Sequence, residues 1–157
     1  MFEFKFEPNH LSVEFDGENK ELLDFLEIWQ SKRVGGQLPS RADIGPFELR
    51  RHLGWVVLID VERPLIRFKY RLVGTNITEI SGRDVTGLYF EDAYGPDPSG
   101  LLKIYKEAFE AAKPCHVVGR YPVPGKDFYQ YEAMILPLAD NNVDVDKFLV
   151  RLFFHRP

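Results

Sequence analysis

The chain has 157 residues, of which 45% are hydrophobic and 14% aromatic, enough for one well-filled core that buries roughly 68–70% of the unfolded surface. Its formal net charge of -4, with both signs interspersed, argues against nucleic-acid binding, which usually brings a basic patch or stripe. The longest apolar runs, such as Trp55-Val56-Val57-Leu58-Ile59, fall far short of the ~20 residues that span a bilayer, and no basic-then-apolar signal opens the chain, so a cytoplasmic protein without a membrane partner is expected.

Residues 1–18 read as an N-terminal extension in which Phe2, Phe4 and Phe6 alternate with Glu3 and Lys5, and Leu11, Val13 and Phe15 alternate after Pro8-Asn9. The pattern predicts a hairpin, an added edge strand or a partner-binding arm. The domain proper is expected over 19–157. A helix starts at Asn19, a capping residue, and runs to about Lys32, with Leu22, Leu26 and Trp29 on one stripe and Gly35-Gly36 as the stop. After a proline-bounded connection, Pro46 opens a predicted short helix that Gly54 ends. Trp55 to Val61 is apolar on both alternating faces, as expected of a central strand, and a turn at Glu62-Arg63-Pro64 leads to a strand over 65–73. Ile66, Phe68, Tyr70 and Leu72 are predicted to share one face of it.

A short helix follows over 75–81, and Asp97 or Ser99 caps a longer one over about 99–112, which Pro114 stops. Three strands close the chain: Cys115–Tyr121, Phe128–Leu138 and Lys147–Phe154, joined by turns at Pro124-Gly125-Lys126 and Asp140-Asn141-Asn142.

This order of elements is that of a PAS domain. Arg41-Ala42-Asp43-Ile44, Tyr70-Arg71-Leu72-Val73-Gly74-Thr75, Gly82-Arg83-Asp84-Val85-Thr86-Gly87 and Tyr131-Glu132-Ala133 with Leu136-Pro137-Leu138 together resemble a bacterial single-domain PAS family of unknown function, over roughly residues 20–154. The resemblance implies an α+β fold: a five-stranded antiparallel sheet with helices packed on one face. It also implies a sensory or regulatory role and no reaction. Flavin photosensors resemble one another in an Asn-Cys-Arg-Phe motif on the short helix after the second strand. Here that helix reads Asn76-Ile77-Thr78-Glu79, which disfavours flavin-adduct photochemistry. Haem sensors usually present a histidine from a pocket helix, and the helices at 75–81 and 99–112 have none. No cofactor is therefore expected.

The polar residues suggest no catalytic set. Cys115 is the only cysteine, which excludes an intramolecular disulfide and a multi-cysteine metal site. Adjacent strand residues point to opposite faces, so His116 cannot orient it as a nucleophile. His10, His52, His116 and His155 show no metal-binding spacing. An enzyme of the isomerase or thioesterase type would need a pocket acid, for which Asp60 and Glu79 are the candidates.

A pocket between sheet and helices is the expected ligand site, with Tyr70, Tyr105, Phe109, Tyr129, Tyr131, Met134 and Phe153 as candidate liners whose tyrosine hydroxyls would orient a small molecule. The alternative is a packed aromatic core. Arg41, Asp43, Arg83 and Asp84 lie in connections, where an arginine fork would hold a ligand carboxylate. Structurally, Asp43 would cap the helix near Pro46, Asp84 would fix a turn, and the arginines would pair with these acids. Glu132 and Arg151 suggest a cross-strand ion pair. With Arg67, Lys69, Arg71 and Arg120 they predict a charged outer sheet surface that meets a separate output protein or a second copy, as in a homodimer. Three functions follow: a ligand-binding sensory module, a ligand-free interaction domain, and a small enzyme.

Overall fold

A computed structural model describes residues 7–12, 18–94, 99–120 and 130–155. The Phe2-Phe4-Phe6 segment, Tyr129 and the Pro124-Gly125-Lys126 turn lie outside the described residues. In chain order the elements are β1 (Glu7–Ser12), α1 (Lys20–Ser31), β2 (Val56–Glu62), β3 (Arg67–Val73), α2 (Thr75–Ser81), α3 (Phe90–Tyr94), α4 (Ser99–Ala111), β4 (Cys115–Arg120), β5 (Gln130–Leu138) and β6 (Lys147–His155).

All strand pairings are antiparallel, in the order β1-β4-β5-β6-β2-β3. The last five are the expected five-stranded sheet. β1 adds a sixth at the β4 edge and covers backbone groups that would otherwise be unpaired. The β2–β3 hairpin sits at one side of the sheet, and the segment holding α2, α3 and α4 carries the chain across to β4 at the other.

The sheet has two unlike faces. Ile59 pairs with Phe148 and Tyr70, Phe148 with Pro137, and Val117 with Ala133 and through it Leu152. Directly opposed residues share a face, so these belong to the inner face that α2, α3 and α4 cover. The intervening residues, including Leu58, Met134, Leu136, Leu149 and Arg151, make the outer face. There α1 lies over β5 and β6, burying Leu22, Phe25, Leu26 and Trp29. The Trp29 indole donates to the Pro137 carbonyl at 2.8 Å. Helices thus cover both faces, α1 being the one outside the expected layer.

Two expectations change. No α-helix starts at Pro46, because i to i+3 bonds such as His52 N to Leu49 O at 2.7 Å tighten this segment into turns, ending in a 3₁₀ turn at Leu53–Trp55. Glu48, not Asp43, caps there by accepting from the Gly45 amide at 2.8 Å. Asp43 instead accepts from the Ser40 amide at 2.9 Å and closes the 3₁₀ turn Arg41–Asp43.

Candidate functional site

Among the described residues the inner face is apolar from β3 across to β4. β2 contributes Val57, Ile59 and Val61; β3 contributes Phe68, Tyr70 and Val73; and β6 contributes Phe148, Val150, Leu152 and Phe154. α3 places Phe90 against Tyr70, ring centroids 4.7 Å apart, and α4 places Tyr105 edge-on to Phe90 at 5.1 Å and to Phe148 at 5.6 Å. Phe68 completes this five-ring cluster, 5.4 Å from Phe90 and 5.9 Å from Tyr105. Tyr131 stands apart from it, 6.4 Å from Phe154. Toward β4 and β5 the same face alternates small and large: Cys115 opposes Ile135, Val117 opposes Ala133 and Gly119 opposes Tyr131, and Ala108 on α4 is fully buried.

Of the expected liners, Tyr70, Tyr105 and Tyr131 lie within this layer. Phe109 sits at its rim with the Arg63 guanidinium 5.1 Å from its ring centroid. Met134 and Phe153 do not join them. Met134 falls between Ala133 and Ile135 and so projects to the outer face, where it opposes Arg151; Phe153 opposes Glu132 on that same face.

The charged candidates are occupied structurally. Asp84 accepts from the Thr86 amide at 2.9 Å and hydroxyl at 2.6 Å, fixing its turn, and these bonds hold its carboxyl below the usual aspartate value. Arg41 donates to the Ile44 carbonyl at 2.5 Å rather than to Asp43. Arg83 is exposed beyond the end of α2. Asp60 accepts from Arg71 at 2.8 Å on the outer side, and Glu79 is exposed on α2, so neither supplies a pocket acid. The Cys115 thiol donates to the Lys113 carbonyl at 3.3 Å, and burial pushes its pKa up to about 11. It shares no face with His116, as alternation requires.

The outer face holds polar clusters that sequence reasoning did not assemble. The expected Glu132–Arg151 pair is absent among the described residues because the register opposes Glu132 to Phe153. Instead Glu132 accepts from His116 Nε2 at 2.9 Å, from His155 Nε2 at 2.5 Å and from Asn19 Nδ2 at 3.1 Å. Asn19 is also the N-cap of α1, its Oδ1 accepting from the Glu21 and Leu22 amides. One side chain thus both starts the helix and ties it to the sheet.

Arg151, nearly buried, donates through Nε to His52 Nδ1 at 3.1 Å and through Nη1 to the Leu152 carbonyl, with Glu21 3.8 Å from Nη2. Because His52 Nδ1 accepts, its proton sits on Nε2, which donates to Asp24 at 2.7 Å. The imidazole therefore bridges a guanidinium to a carboxylate. Further charge on this face is also paired: at the β3 margin Arg71 meets Asp60 and Arg67 lies over Tyr89 and 3.5 Å from Glu91, and on β6 Lys147 lies 3.3 Å from Asp140.

Burial opposes ionisation of Glu132, but the hydrogen bonds from Asn19, His155 and His116 outweigh it and hold its pKa below the ordinary glutamate value. The ionised form then favours folding above the ordinary value, and that contribution disappears as pH falls through the lowered one. Urea unfolding followed from about pH 6 to 3 should show stability dropping at the acid end, with part of that drop missing in Glu132→Gln. At neutral pH that variant is expected to lose about 1.5–3 kcal/mol; an unchanged acid limb would place the titrating group elsewhere.

The two imidazoles take different oxygens of Glu132, and among the described residues no group of three or more His, Cys, Asp or Glu could hold a metal ion. No described helix is long and apolar enough to cross a membrane.

A PAS domain family model matches residues 18–152. The chain belongs to the PAS domain family. PAS domains are sensory signalling modules, and the match leaves β1 outside it. Among solved structures, the chain is similar to a light-oxygen-voltage domain studied with a flavin analogue, at 18% identity and TM-score 0.52 over 69% of this chain and 82% of that one. It is also similar to the light state of the blue-light photoreceptor Aureochrome1 LOV, at 11% identity and TM-score 0.51 over 69% of this chain and 86% of that one. At these identities the likeness concerns the fold. No match is found among curated proteins.

The residues of this PAS domain do not fit a cysteinyl-flavin adduct. α2 carries Thr75-Asn76-Ile77-Thr78-Glu79-Ile80-Ser81, without a cysteine, and Cys115 lies on β4. His116 is equally unsuited to reach a haem among α2, α3 and α4, since it faces the opposite side and engages Glu132.

Proposed function

We propose that this PAS domain is a cytoplasmic sensory module that binds a small molecule between its sheet and α2–α4 and signals by changing its contacts with a separate protein or a second copy. The observation that carries this reading is the inner face itself: apolar throughout, walled by three helices and furnished with the tyrosines at 70, 105 and 131. That composition suits a ligand oriented by few polar contacts. A ligand that favours one conformer shifts the population only by its differential affinity, so binding and partner contact must be measured together.

The second reading is a ligand-free interaction domain, favoured by the five-ring cluster of Phe68, Tyr70, Phe90, Tyr105 and Phe148, which fills the β3 side of the layer. Native mass spectrometry beside a denatured control separates the two. A stoichiometric mass released on denaturation is the expected result; a bare chain at every concentration would shift the assignment to the interaction domain.

A further inference from the structure

We infer that the compartment between the sheet and α2–α4 selects an uncharged, apolar molecule rather than a flavin nucleotide. The inference rests on the ligand-binding reading above and names the chemistry of that site. Among the described residues, the inner sheet face bears no Lys, Arg, His, Asp, Glu, Asn or Gln. The buried charged or imidazole side chains His52, His116 and Arg151 all face the other side, beneath or beside α1.

Burying an ionised group without a partner is prohibitive, and burying an amide or imide edge without hydrogen bonds costs several kcal/mol. An isoalloxazine ring brings carbonyl and imide groups along one edge, and its ribityl phosphate brings negative charge. The one amide on α2, Asn76, is committed elsewhere: a methyl group built on Gly54 would lie 2.3 Å from its Nδ2, so this amide packs on the Gly54 backbone. Among the described residues, the polar side-chain atoms on the inner sheet face are tyrosine hydroxyls and the Cys115 thiol, which its raised pKa keeps neutral.

The two halves of the layer differ in their packing. Aromatic rings interlock at the β3 side, whereas at the β4–β5 side the buried Ala133 lies opposite Val117 and outside that ring cluster. Enlarging a residue there removes volume without introducing charge. Ala133→Leu is the variant that addresses this half.

The test titrates the full chain with the uncharged dye N-phenyl-1-naphthylamine, with flavin mononucleotide, and with decanol and decanoate as competitors at mildly alkaline pH. Saturable one-to-one dye binding is expected, weakened about tenfold or more by Ala133→Leu, with decanol displacing the dye at least about tenfold more effectively than decanoate and no flavin bound. Should Ala133→Leu fail to fold, the decanol–decanoate comparison on the unaltered chain carries the decision alone. Stoichiometric flavin binding, or equal displacement by decanoate, overturns the inference while leaving a ligand-binding module in place. Failure of dye, decanol and flavin alike overturns both the inference and the reading beneath it.

Discussion

Replacing His52 with alanine is expected to lower the unfolding free energy by about 3 kcal/mol, among the largest single-residue effects in this chain. The ring is completely buried, edge-on to Phe25 at 5.4 Å, and joins Arg151 to Asp24. Its loss strands a nearly buried guanidinium whose other carboxylate, Glu21, is 3.8 Å away and partly solvated. Breaking a buried ionic network by removing one member costs more than the network contributes, because the remaining charge stays desolvated. Asp24 is 37% exposed, which keeps the effect near the low end of the range for such sites. For a domain of this size the melting temperature should fall by about 6–12 °C. Adding Arg151→Met to the His52→Ala chain should recover part of the loss, since the stranded charge is then gone. A single-variant loss below about 1 kcal/mol would mean that Arg151 finds water or another acceptor, and that the bridge is incidental. Binding of the ligand proposed for the inner face should survive both changes, because this network lies on the far side of the sheet.

The contrast between the two faces explains what the sequence made legible. Period-2 alternation in β3 and β5 marks which residues share a face, and the apolar stripe of α4 marks the side it buries, so Tyr70, Tyr131 and Tyr105 are legible in the sequence as members of one layer. The helix cap at Asn19 is a local signal and was readable for the same reason. Register is not local. Whether Glu132 opposes Arg151 or Phe153 depends on how β5 slides against β6, and a shift of two residues changes every cross-strand pair without altering either strand's alternation. The Glu132–His116–His155 and Asp24–His52–Arg151 clusters each join three elements distant in sequence, so no spacing rule could assemble them. Met134 shows the converse: its own neighbours, Ala133 and Ile135, already put it on the outer face, and alternation applied strictly would have excluded it as a liner. Phe153 is ambiguous in the sequence because Leu149 and Phe153 on one face of β6 are as apolar as Phe148 and Phe154 on the other.

Gly74→Ala should be as damaging as the loss of His52, at about 3 kcal/mol, through backbone rather than charge. Gly74 has φ -61, an ordinary value for any residue, so conformational freedom is not what demands glycine. Space demands it. A methyl group there would sit 2.3 Å from the Gly54 carbonyl oxygen and 2.8 Å from that of Leu53, and neither is the end of a flexible side chain. The neighbours cannot give way cheaply, because Gly74 N is bonded to Val56 O at 2.8 Å and Trp55 N to His52 O at 2.8 Å, holding both backbones in place. Gly82 offers the matched control: its φ is +80 with open space around it, so Gly82→Ala meets only the left-handed conformational cost of roughly 1–2 kcal/mol. The junction at Gly74 also sets where α2 begins, and α2 walls the inner face. Gly74→Ala should therefore weaken the proposed ligand binding together with stability, whereas Gly82→Ala should lower stability with that binding retained. Equal losses in the two variants, measured by urea unfolding, would show that the 53–56 segment yields and that close backbone approach does not position α2.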